Sequence, residues 1–299
     1  MAMRRVGSES EADRLQSVKR ALAVLETLAG RPHGVTPKEL SQTLGLHLST
    51  SYRLLNTLAA AGYAVRRPGG GLFRLGPRAT YLHHGYLEAL RPPPPVLAFV
   101  HALQVATGET AMLNQLEGDD VVVTAVVPGN HPTAHASGYV GLAAPAHALA
   151  GGRTLLAWLP AAELEAYLNS AAAASGSPFP LSNSGALRAE LERIRTKGYA
   201  LDRGDVHPDI CCVAAPVIDP TGAVSMAIAT VAPAARFGRE EPTLVATVLA
   251  VARAIGALLL ATPSRDEPVG AVQHEPETAA QATIETAVAT VAETMSRVS

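Results

Sequence analysis

The sequence has few of the residues on which several classes of protein depend. Its 299 residues include only two cysteines, which are adjacent, and aromatic residues make up 4% of the chain. Neighbouring cysteines cannot form the disulfide framework of a small secreted domain. The longest apolar runs are too short or too interrupted to span a bilayer, and no secretory leader opens the chain. We therefore expect a cytoplasmic protein with no membrane partner.

Net charge is also low, but it is unevenly distributed. The total of -2 combines residues 1–85, which carry 12 Lys and Arg against 5 Asp and Glu, with residues 86–299, which carry 12 against 21. A basic first part joined to an acidic remainder suggests a polyanionic partner for the first part only. The length is typical of two domains with tails.

The first part has the pattern of helices followed by a hairpin. After a predicted flexible arm (residues 1–13), apolar residues recur on one helical face at 15, 18, 22, 25 and 29. Thr36, Pro37 and Glu39 form a capping-box pattern that starts a second helix, which Gly45 ends. Ser49 is the expected cap of a third helix, and two short strands flank "PGGG".

This order predicts a winged helix-turn-helix domain over residues 14–80. The third helix directs Leu54, Leu55 and Leu58 inward, which leaves a polar tip free to enter a DNA major groove. The candidate base-reading residues are Ser49, Thr50, Tyr52 and Arg53, and the candidate phosphate contacts are Lys38, Arg66, Arg67 and Arg74. The alternative is a small helical subdomain with a solvated surface.

The second part alternates between helical and strand patterns. A linker over residues 81–95 combines a short helix with four prolines, which favour an extended spacer. Residues 96–262 then predict an α/β sensor-like domain with a mostly antiparallel sheet, closed by a long apolar helix. Gly151 and Gly152 open a helix, where free N–H groups could bind an anion, although the glycines could equally serve close packing.

The last residues, 263–299, predict a polar linker followed by a possible short amphipathic helix. Apolar residues recur there with coiled-coil spacing at Ile284, Val288, Val291, Met295 and Val298. So short a helix is marginal in water, so a frayed or disordered tail is one interpretation. The other is that the helix pairs between subunits or docks on the effector domain.

The two parts together resemble the IclR family of bacterial transcription regulators. The resemblance rests on "LQSVKRALAVLETLA", "LSQTLGLHLSTSYRLLNTLAAAGY", "VGLAAPAHALAGGRTLLAWLP" and "GYALDRGDVHPDICCVAAPVIDPTGAV", and it covers roughly residues 14–262. It implies an α+β chain with an N-terminal winged helix-turn-helix, a linker helix and a C-terminal GAF-like domain that binds a small effector. It also implies a homodimer or tetramer on a palindromic double-stranded operator, with no cofactor and no enzymatic activity.

The resemblance also implies where the effector would lie. Ala150, Gly151, Asp202 and Cys212 match positions that contact small carboxylic acids in family members, and Thr133 and Ala136 are further candidates. Ala229 and Val231 replace hydroxyl residues that often line the following strand, and Ala143 replaces a basic residue. These departures favour a larger or more apolar organic acid than glyoxylate. From the residues alone, Asp202 could simply cap a turn.

Two other classes of function need consideration. His207, Cys211 and Cys212 lie in one acidic stretch and suggest a metal- or thiol-responsive sensor. Adjacent cysteines on a strand point to opposite faces, however, and zinc sites use three or four ligands of matched spacing. A cysteine nucleophile would need a nearby base and an orienting group, and the sequence has no catalytic spacing of that kind. The sequence does not distinguish repression from activation.

Overall fold

The computed structural model describes residues 8–67, 69, 71–131, 138–173, 180–261 and 285–292. The chain divides into two compact units, one ending at Ala89 and the other beginning at Leu90. Each unit has its own apolar core.

The first unit contains four helices and a two-stranded wing among its described residues. In chain order these are α1 (Ser8–Ala29), α2 (Pro37–Leu44), α3 (Leu48–Ala60), β1 (Ala64–Arg66), β2 (Phe73–Leu75) and α4 (Arg78–Ala89). The two strands pair antiparallel, with Ala64 opposite Leu75. The predicted capping box is present, because Thr36 accepts a hydrogen bond from the Glu39 N–H while the Glu39 carboxylate accepts one from the Thr36 N–H. The winged helix-turn-helix prediction is thereby confirmed.

The first helix differs from the prediction in its start and its buried face. It begins at Ser8, so residues 8–13 of the expected arm are helical. The buried side chains are Val24 and Leu28, whereas Leu15, Val18 and Leu22 are 62%, 58% and 53% exposed. The periodic stripe that the sequence displays therefore lies mostly outside the core of this unit.

The recognition helix also begins differently from the prediction. Its N-cap is His47, whose side chain makes no capping hydrogen bond, so Ser49 is an exposed residue of the first turn rather than the cap. Ser51, which lies between the candidate base-reading residues Thr50 and Tyr52, is fully buried and donates a hydrogen bond to the His47 carbonyl at 3.4 Å. The leucine underside is as predicted, with Leu55 and Leu58 buried and Leu54 half-buried.

The proline-rich spacer is shorter than predicted. Helix α5 (Pro94–Thr107) begins two residues before the expected Val96, so Pro94 and Pro95 occupy its first turn. Proline is tolerated there because first-turn N–H groups have no partner within the helix. Only residues 90–93 separate α4 from α5.

The second unit is a six-stranded sheet with helices on both faces. After α5 come β3 (Thr110–Glu117), β4 (Asp120–Val127), β5 (Ala143–Pro145), α6 (Ala150–Trp158), α7 (Ala161–Ala173), α8 (Ser184–Lys197), β6 (Ala200–Asp202), β7 (Ile210–Ile218), β8 (Val224–Pro233) and α9 (Ala234–Ala261). The strand order is β5-β4-β3-β8-β7-β6, and every neighbouring pair is antiparallel. This confirms the predicted α+β class. The short edge strands β5 and β6 were not predicted.

Alternation along the strands divides the core into two layers. Cys211, Val213 and Ala215 face α5 and α9, whereas Cys212 and Ala214 face α6 and α8. Helix α9 is long and apolar enough to cross a membrane by length and composition. Its residues Val248 and Ile255 are nevertheless fully buried against the sheet and α5, so it forms the core of this unit.

A short tail helix (residues 285–292) packs on the α5 and α9 side of the sheet. Ala287 and Val291 are buried in the same core cluster as Val96 and Phe99 of α5. Val288 and Val291 belong to the predicted apolar stripe, and Ala287 was not part of it. Ile284, Met295 and Val298 lie outside the described residues.

Candidate functional site

Helix α3 presents one polar face to solvent. Ser49, Tyr52, Arg53 and Asn56 are all exposed, at spacings of three, four and seven residues from the first, so they lie on one side of the helix. Thr50, at the edge of this face, is half-buried. Asn56 was missed in the sequence, although the same spacing rule identifies it. Arginine reads guanine and asparagine reads adenine, so this face carries donors and acceptors suited to base edges.

The predicted phosphate contacts are exposed around the same unit. Arg66 and Arg74 lie on the wing strands, Arg67 follows β1, and Lys38 lies in the first turn of α2. The Arg66 guanidinium lies 5.9 Å from the centroid of the Phe73 ring. The side chains of Arg53, Arg67 and Arg74 make no hydrogen bond or ion pair with any residue that the structure describes. These cations are therefore free to meet a polyanion.

The second unit encloses a cavity of about 170 Å³ between the sheet and the start of α6. Its walls are mostly apolar, and its polar groups are few. Lining residues are Met112, Asn114, Val123, Leu142, Leu149, Ala150, Gly151, Asp202, Val206, His207, Ile210, Cys212, Ala229 and Val231. An apolar cavity with a few convergent polar groups is the usual form of a small-molecule site.

The N-terminus of α6 forms one wall of this cavity. Its N-cap, Leu149, provides no side-chain hydrogen bond, and the first backbone bond of the helix runs from the Arg153 N–H to the Leu149 carbonyl at 2.9 Å. The N–H groups of Ala150, Gly151 and Gly152 therefore have no partner within the helix. Together with the helix dipole they favour an anionic group at this end of the cavity.

The two glycines have different packing roles. A Cβ on Gly152 would lie 2.1 Å from the Ala146 carbonyl oxygen, so this glycine is required for close packing of backbone. A Cβ on Gly151 would lie 2.7 Å from the Asn114 Cγ, inside the cavity wall. Asn114 is buried and donates from Nδ2 to the Ala227 carbonyl at 3.2 Å. Gly151 thus leaves room for a polar side chain that the sequence did not single out.

Asp202 caps a turn at the end of β6. Its Oδ1 accepts hydrogen bonds from the N–H groups of Gly204 at 3.0 Å and Asp205 at 2.8 Å. The turn precedes Val206 and His207, which line the cavity. Burial, with the nearby Asp205 charge, raises the pKa of the Asp202 carboxyl, while the two backbone hydrogen bonds and Arg153 act in the opposite direction. The geometry therefore agrees with the interpretation of Asp202 as the cap of a turn.

A buried arginine connects α6 to this turn. The Arg153 side chain is almost fully buried, and its Nη2 donates to the Leu201 carbonyl at 2.9 Å and to Asp205 Oδ2 at 3.3 Å. Its Nε lies 3.0 Å from Glu190 Oε1 on α8. A buried cation held in this way fixes the start of α6 relative to β6 and α8. The "GRTLLAWLP" motif contains this residue, but only the structure shows its role.

The adjacent cysteines lie on opposite faces of β7. Cys211 is buried in the α5 and α9 layer, and Cys212 is half-buried and lines the cavity. Burial raises the pKa of the Cys212 thiol to about 12, so the reactive thiolate is scarce at neutral pH. Within the described ranges, no group of three or more His, Cys, Asp or Glu side chains could hold a metal ion. The metal- or thiol-sensor alternative is therefore not supported.

Six of the eight predicted effector-binding residues line one cavity. These are Ala150, Gly151, Asp202, Cys212, Ala229 and Val231. The other two, Thr133 and Ala136, lie outside the described residues. Ala143, expected to shape the site, is exposed on β5 and does not line the cavity, whereas its neighbour Leu142 does. The sequence analysis missed Asn114, which lies outside the quoted motifs, and it considered His207 only as a possible metal ligand.

Together, the exposed polar helix with its wing and the enclosed cavity define a ligand-responsive DNA-binding regulator. Sequence models of this class match both units: "IclR helix-turn-helix domain" over residues 17–68 and "Bacterial transcriptional regulator IclR C-terminal" over residues 95–257. The chain belongs to the IclR family, which confirms the resemblance inferred from its motifs. It is a transcriptional regulator and not an enzyme.

Individual relatives agree with this assignment. The HTH-type transcriptional regulator XynR of Escherichia coli K12 is 32% identical over 68% of this chain and 80% of its own length. The HTH-type transcriptional regulator Rv1719 of Mycobacterium tuberculosis is 32% identical over 84% of this chain and 95% of its own length. The crystal structure of a transcriptional regulator from Rhodococcus sp. RHA1 has a TM-score of 0.64 at 27% identity, covering 82% of this chain and 98% of that one.

Proposed function

We propose that this regulator acts in the cytoplasm and binds a small organic acid in the α6 cavity, which changes its affinity for a palindromic operator. The observation that carries this proposal is the cavity itself: an anion-favouring helix N-terminus opens into a space whose other walls are mostly apolar. The effector's carboxylate would lie near the N–H groups of Ala150 and Gly151, beside the Asn114 amide. Two of the relatives, YiaJ of Escherichia coli and AllR of Salmonella typhi, are named as repressors, which favours repression relieved by the effector.

The apolar walls limit the chemistry of this acid. Ala229 and Val231 are buried on β8, and Met112 and Val123 line the cavity from β3 and β4. These side chains offer no hydrogen bond to a hydroxyl or an aldehyde. Burying apolar surface contributes about 25 cal/mol per Å², so an acid with a short apolar or aromatic body gains contacts that a two-carbon acid cannot make.

On DNA, the exposed α3 face would lie in the major groove. Ser49, Thr50, Tyr52 and Arg53 would contact base edges, and Lys38, Arg66, Arg67 and Arg74 would contact phosphates. The free N–H groups at the start of α3 add a further phosphate contact, because His47 does not cap them. A palindromic operator requires two copies of this unit related by a two-fold axis.

The exposed stripe on α1 is the surface that we propose for this pairing. Leu15, Val18 and Leu22 are each more than half exposed, and a contiguous apolar stripe of this kind marks an interaction surface. Leu22→Glu should weaken the homo-oligomer in sedimentation experiments. The control Gln16→Glu, which places the same charge at an exposed polar position of the same helix, should not. An unchanged dissociation constant for Leu22→Glu would place the interface elsewhere.

The effector proposal is tested by a panel of monocarboxylic acids of increasing size. Glyoxylate, 4-hydroxybenzoate and phenylacetate are compared by thermal shift and by operator gel shift on the full chain. A ligand that binds only the folded state at a hundred times its Kd adds about 2.7 kcal/mol to the free energy of unfolding. We expect an acid with an apolar body to raise Tm and alter operator binding. A response to glyoxylate alone would contradict the proposed cavity chemistry.

A further inference from the structure

The tail helix (residues 285–292) lies beyond the matched family region, which ends at residue 257. It is nevertheless seated in the core of the second unit. Ala287 and Val291, one helical turn apart, are 3% and 1% exposed, and Val288 is partly buried beside them. Their neighbours in the cluster include Val96 and Phe99 near the start of α5 and Ile255 near the end of α9.

The surface that receives the tail helix is an apolar groove. Its walls come from the start of α5, the end of α9 and the tail itself, and they border an open space of about 530 Å³. The lining residues are Pro95, Ala98, Phe99, Ala254, Ala257, Leu258, Thr286, Ala287 and Thr290. None of these carries a charge. Small side chains on the groove walls allow a helix to approach closely.

Tertiary contacts in this groove stabilise the tail helix. In proteins, most of the stability of a helix comes from packing of its apolar face rather than from its own propensity. Among the described tail residues, Ala287, Val288 and Val291 provide that packing. Residues 262–284 link it to α9, and a chain of that length spans about 80 Å when fully extended. That reach would also allow the tail to dock on a second copy.

We propose that the tail helix is an intramolecular clasp, which docks on its own chain and holds the start of α5 to the end of α9. The position of the clasp determines which helices it stabilises. Helix α5 is the first element after residues 90–93, which lead from the first unit. The clasp therefore protects the first turns of α5 and the last turns of α9 from opening. This role is separate from the effector cavity, which faces the other side of the sheet.

The clasp is tested by hydrogen exchange on full-length variants. Val291→Asp places a charge in the groove, whereas Ala289→Asp places the same charge on the exposed side of the same helix. Loss of one buried valine corresponds to amide exchange about tenfold or more faster. We expect this at residues 96–103 and 251–261 for Val291→Asp and not for Ala289→Asp. Ala257→Glu, at an exposed groove position, should have the same effect without disturbing the core. Exchange equal to wild type in both Val291→Asp and Ala257→Glu would overturn the proposal.

Docking within one chain is tested by cross-linking. Thr286 of the tail helix and Ala257 of α9 both line the groove, so cysteines introduced by Thr286→Cys and Ala257→Cys can be joined by a short bismaleimide. The natural cysteines interfere little, since Cys211 is buried and the pKa of Cys212 is raised to about 12. The double variant should cross-link without doubling its mass on a denaturing gel, and a mixture of the two single variants should give no dimer band. A dimer band from the mixture would show docking between copies and overturn the intramolecular clasp.

Discussion

Asp202 can serve the effector cavity in two ways, and a pair of substitutions separates them. As a turn cap, its Oδ1 accepts two backbone hydrogen bonds, at 3.0 and 2.8 Å. As a charged group, it would act on the effector directly. Asp202→Asn keeps an oxygen acceptor in the same place and removes the charge. Asp202→Ala removes both, so the difference between the two variants isolates the turn.

The expected magnitudes follow from this geometry. A hydrogen bond contributes about 0.5–1.5 kcal/mol to stability, so losing two should cost Asp202→Ala roughly 2 kcal/mol, or about 4–8 °C in Tm for a unit of this size. Asp202→Asn should be as stable as wild type or more stable at neutral pH. The reason is that burial raises the pKa of Asp202 above its ordinary value of 3.8, so the native structure disfavours the charged form.

The pH dependence of stability independently tests the direction of the Asp202 pKa shift. Below pH 3.8 the carboxyl is protonated in both the folded and the unfolded chain, and the burial of charge costs nothing. As pH rises through the folded pKa, the wild type must bury a carboxylate and loses stability relative to Asp202→Asn. Urea denaturation at several pH values measures the difference. An advantage for Asp202→Asn that grew as the pH fell would refute the assigned direction.

The effector response distinguishes the two roles. If Asp202 acts as a turn cap that places Val206 and His207, Asp202→Asn should keep the operator response to the acid identified in the panel, and Asp202→Ala should lose it. Operator binding without the acid should be unchanged in both. Loss of the response in Asp202→Asn, with the fold intact by circular dichroism, would show that the charge is essential and refute the turn-cap account.

Further predictions concern the cavity and the DNA face. Gly151→Ala should destabilise the fold by about 1–3 kcal/mol and weaken binding of the acid, because its Cβ would lie 2.7 Å from the Asn114 Cγ. Gly238→Ala is the control: its Cβ would meet open space within α9, so it should stabilise the fold by about 0.5–1 kcal/mol. Calorimetry and urea denaturation measure both, and an unperturbed Gly151→Ala would contradict the geometry. Val231→Ser should weaken binding of the apolar acid and favour smaller acids, and an unchanged selectivity in competition titrations would place the acid away from β8. Arg53→Ala should cost about 1–3 kcal/mol and relax sequence preference, whereas Arg66→Ala should weaken binding to all DNA and lower the salt slope by about one unit. Titrations at several salt concentrations on operator and random DNA would refute this division if both variants lost discrimination equally.

The elements that could be predicted are those whose signal is local. Strand β4 is a run of mostly β-branched residues, and a turn at Gly118, which has a positive φ, separates it from β3. The capping box of α2 and its left-handed end at Gly45 also depend on residues within a few positions of one another. In each case the side chains and the backbone that they stabilise are neighbours in sequence, so no tertiary information is needed.

The wrong or missing predictions concern features that tertiary packing determines. The apolar stripe of α1 is a strong helical signal, but which side faces the core depends on α2, α3 and the wing, and these contact Val24 and Leu28. The strands β5 and β6 have three residues each, too few for a periodic pattern, and exist only because β4 and β7 pair with them. Neither outcome can be read from local periodicity.

The cavity residues also divide into those that a sequence motif marks and those that only tertiary packing brings into place. Family motifs placed Gly151, Asp202 and Cys212 together because their spacing is distinctive. Asn114 carries no such mark: it is one polar residue in an apolar strand, and its place in the cavity depends on the missing Cβ of Gly151 and on the Ala227 carbonyl, 113 residues away in sequence. Such a residue becomes visible only when the sheet is assembled.

The most direct test of effector control uses thermodynamic linkage between the cavity and the DNA face. The affinity of the full chain for its operator is measured with and without the acid identified in the panel, and the affinity for the acid is measured with and without operator DNA. If one protein couples the two sites, both affinities must change by the same factor, which is typically about 5–150-fold. Equal factors in the wild type are the predicted result, and Gly151→Ala should bind the acid more weakly both with and without operator DNA. An affinity for the acid that operator DNA leaves unchanged would contradict effector control through this cavity.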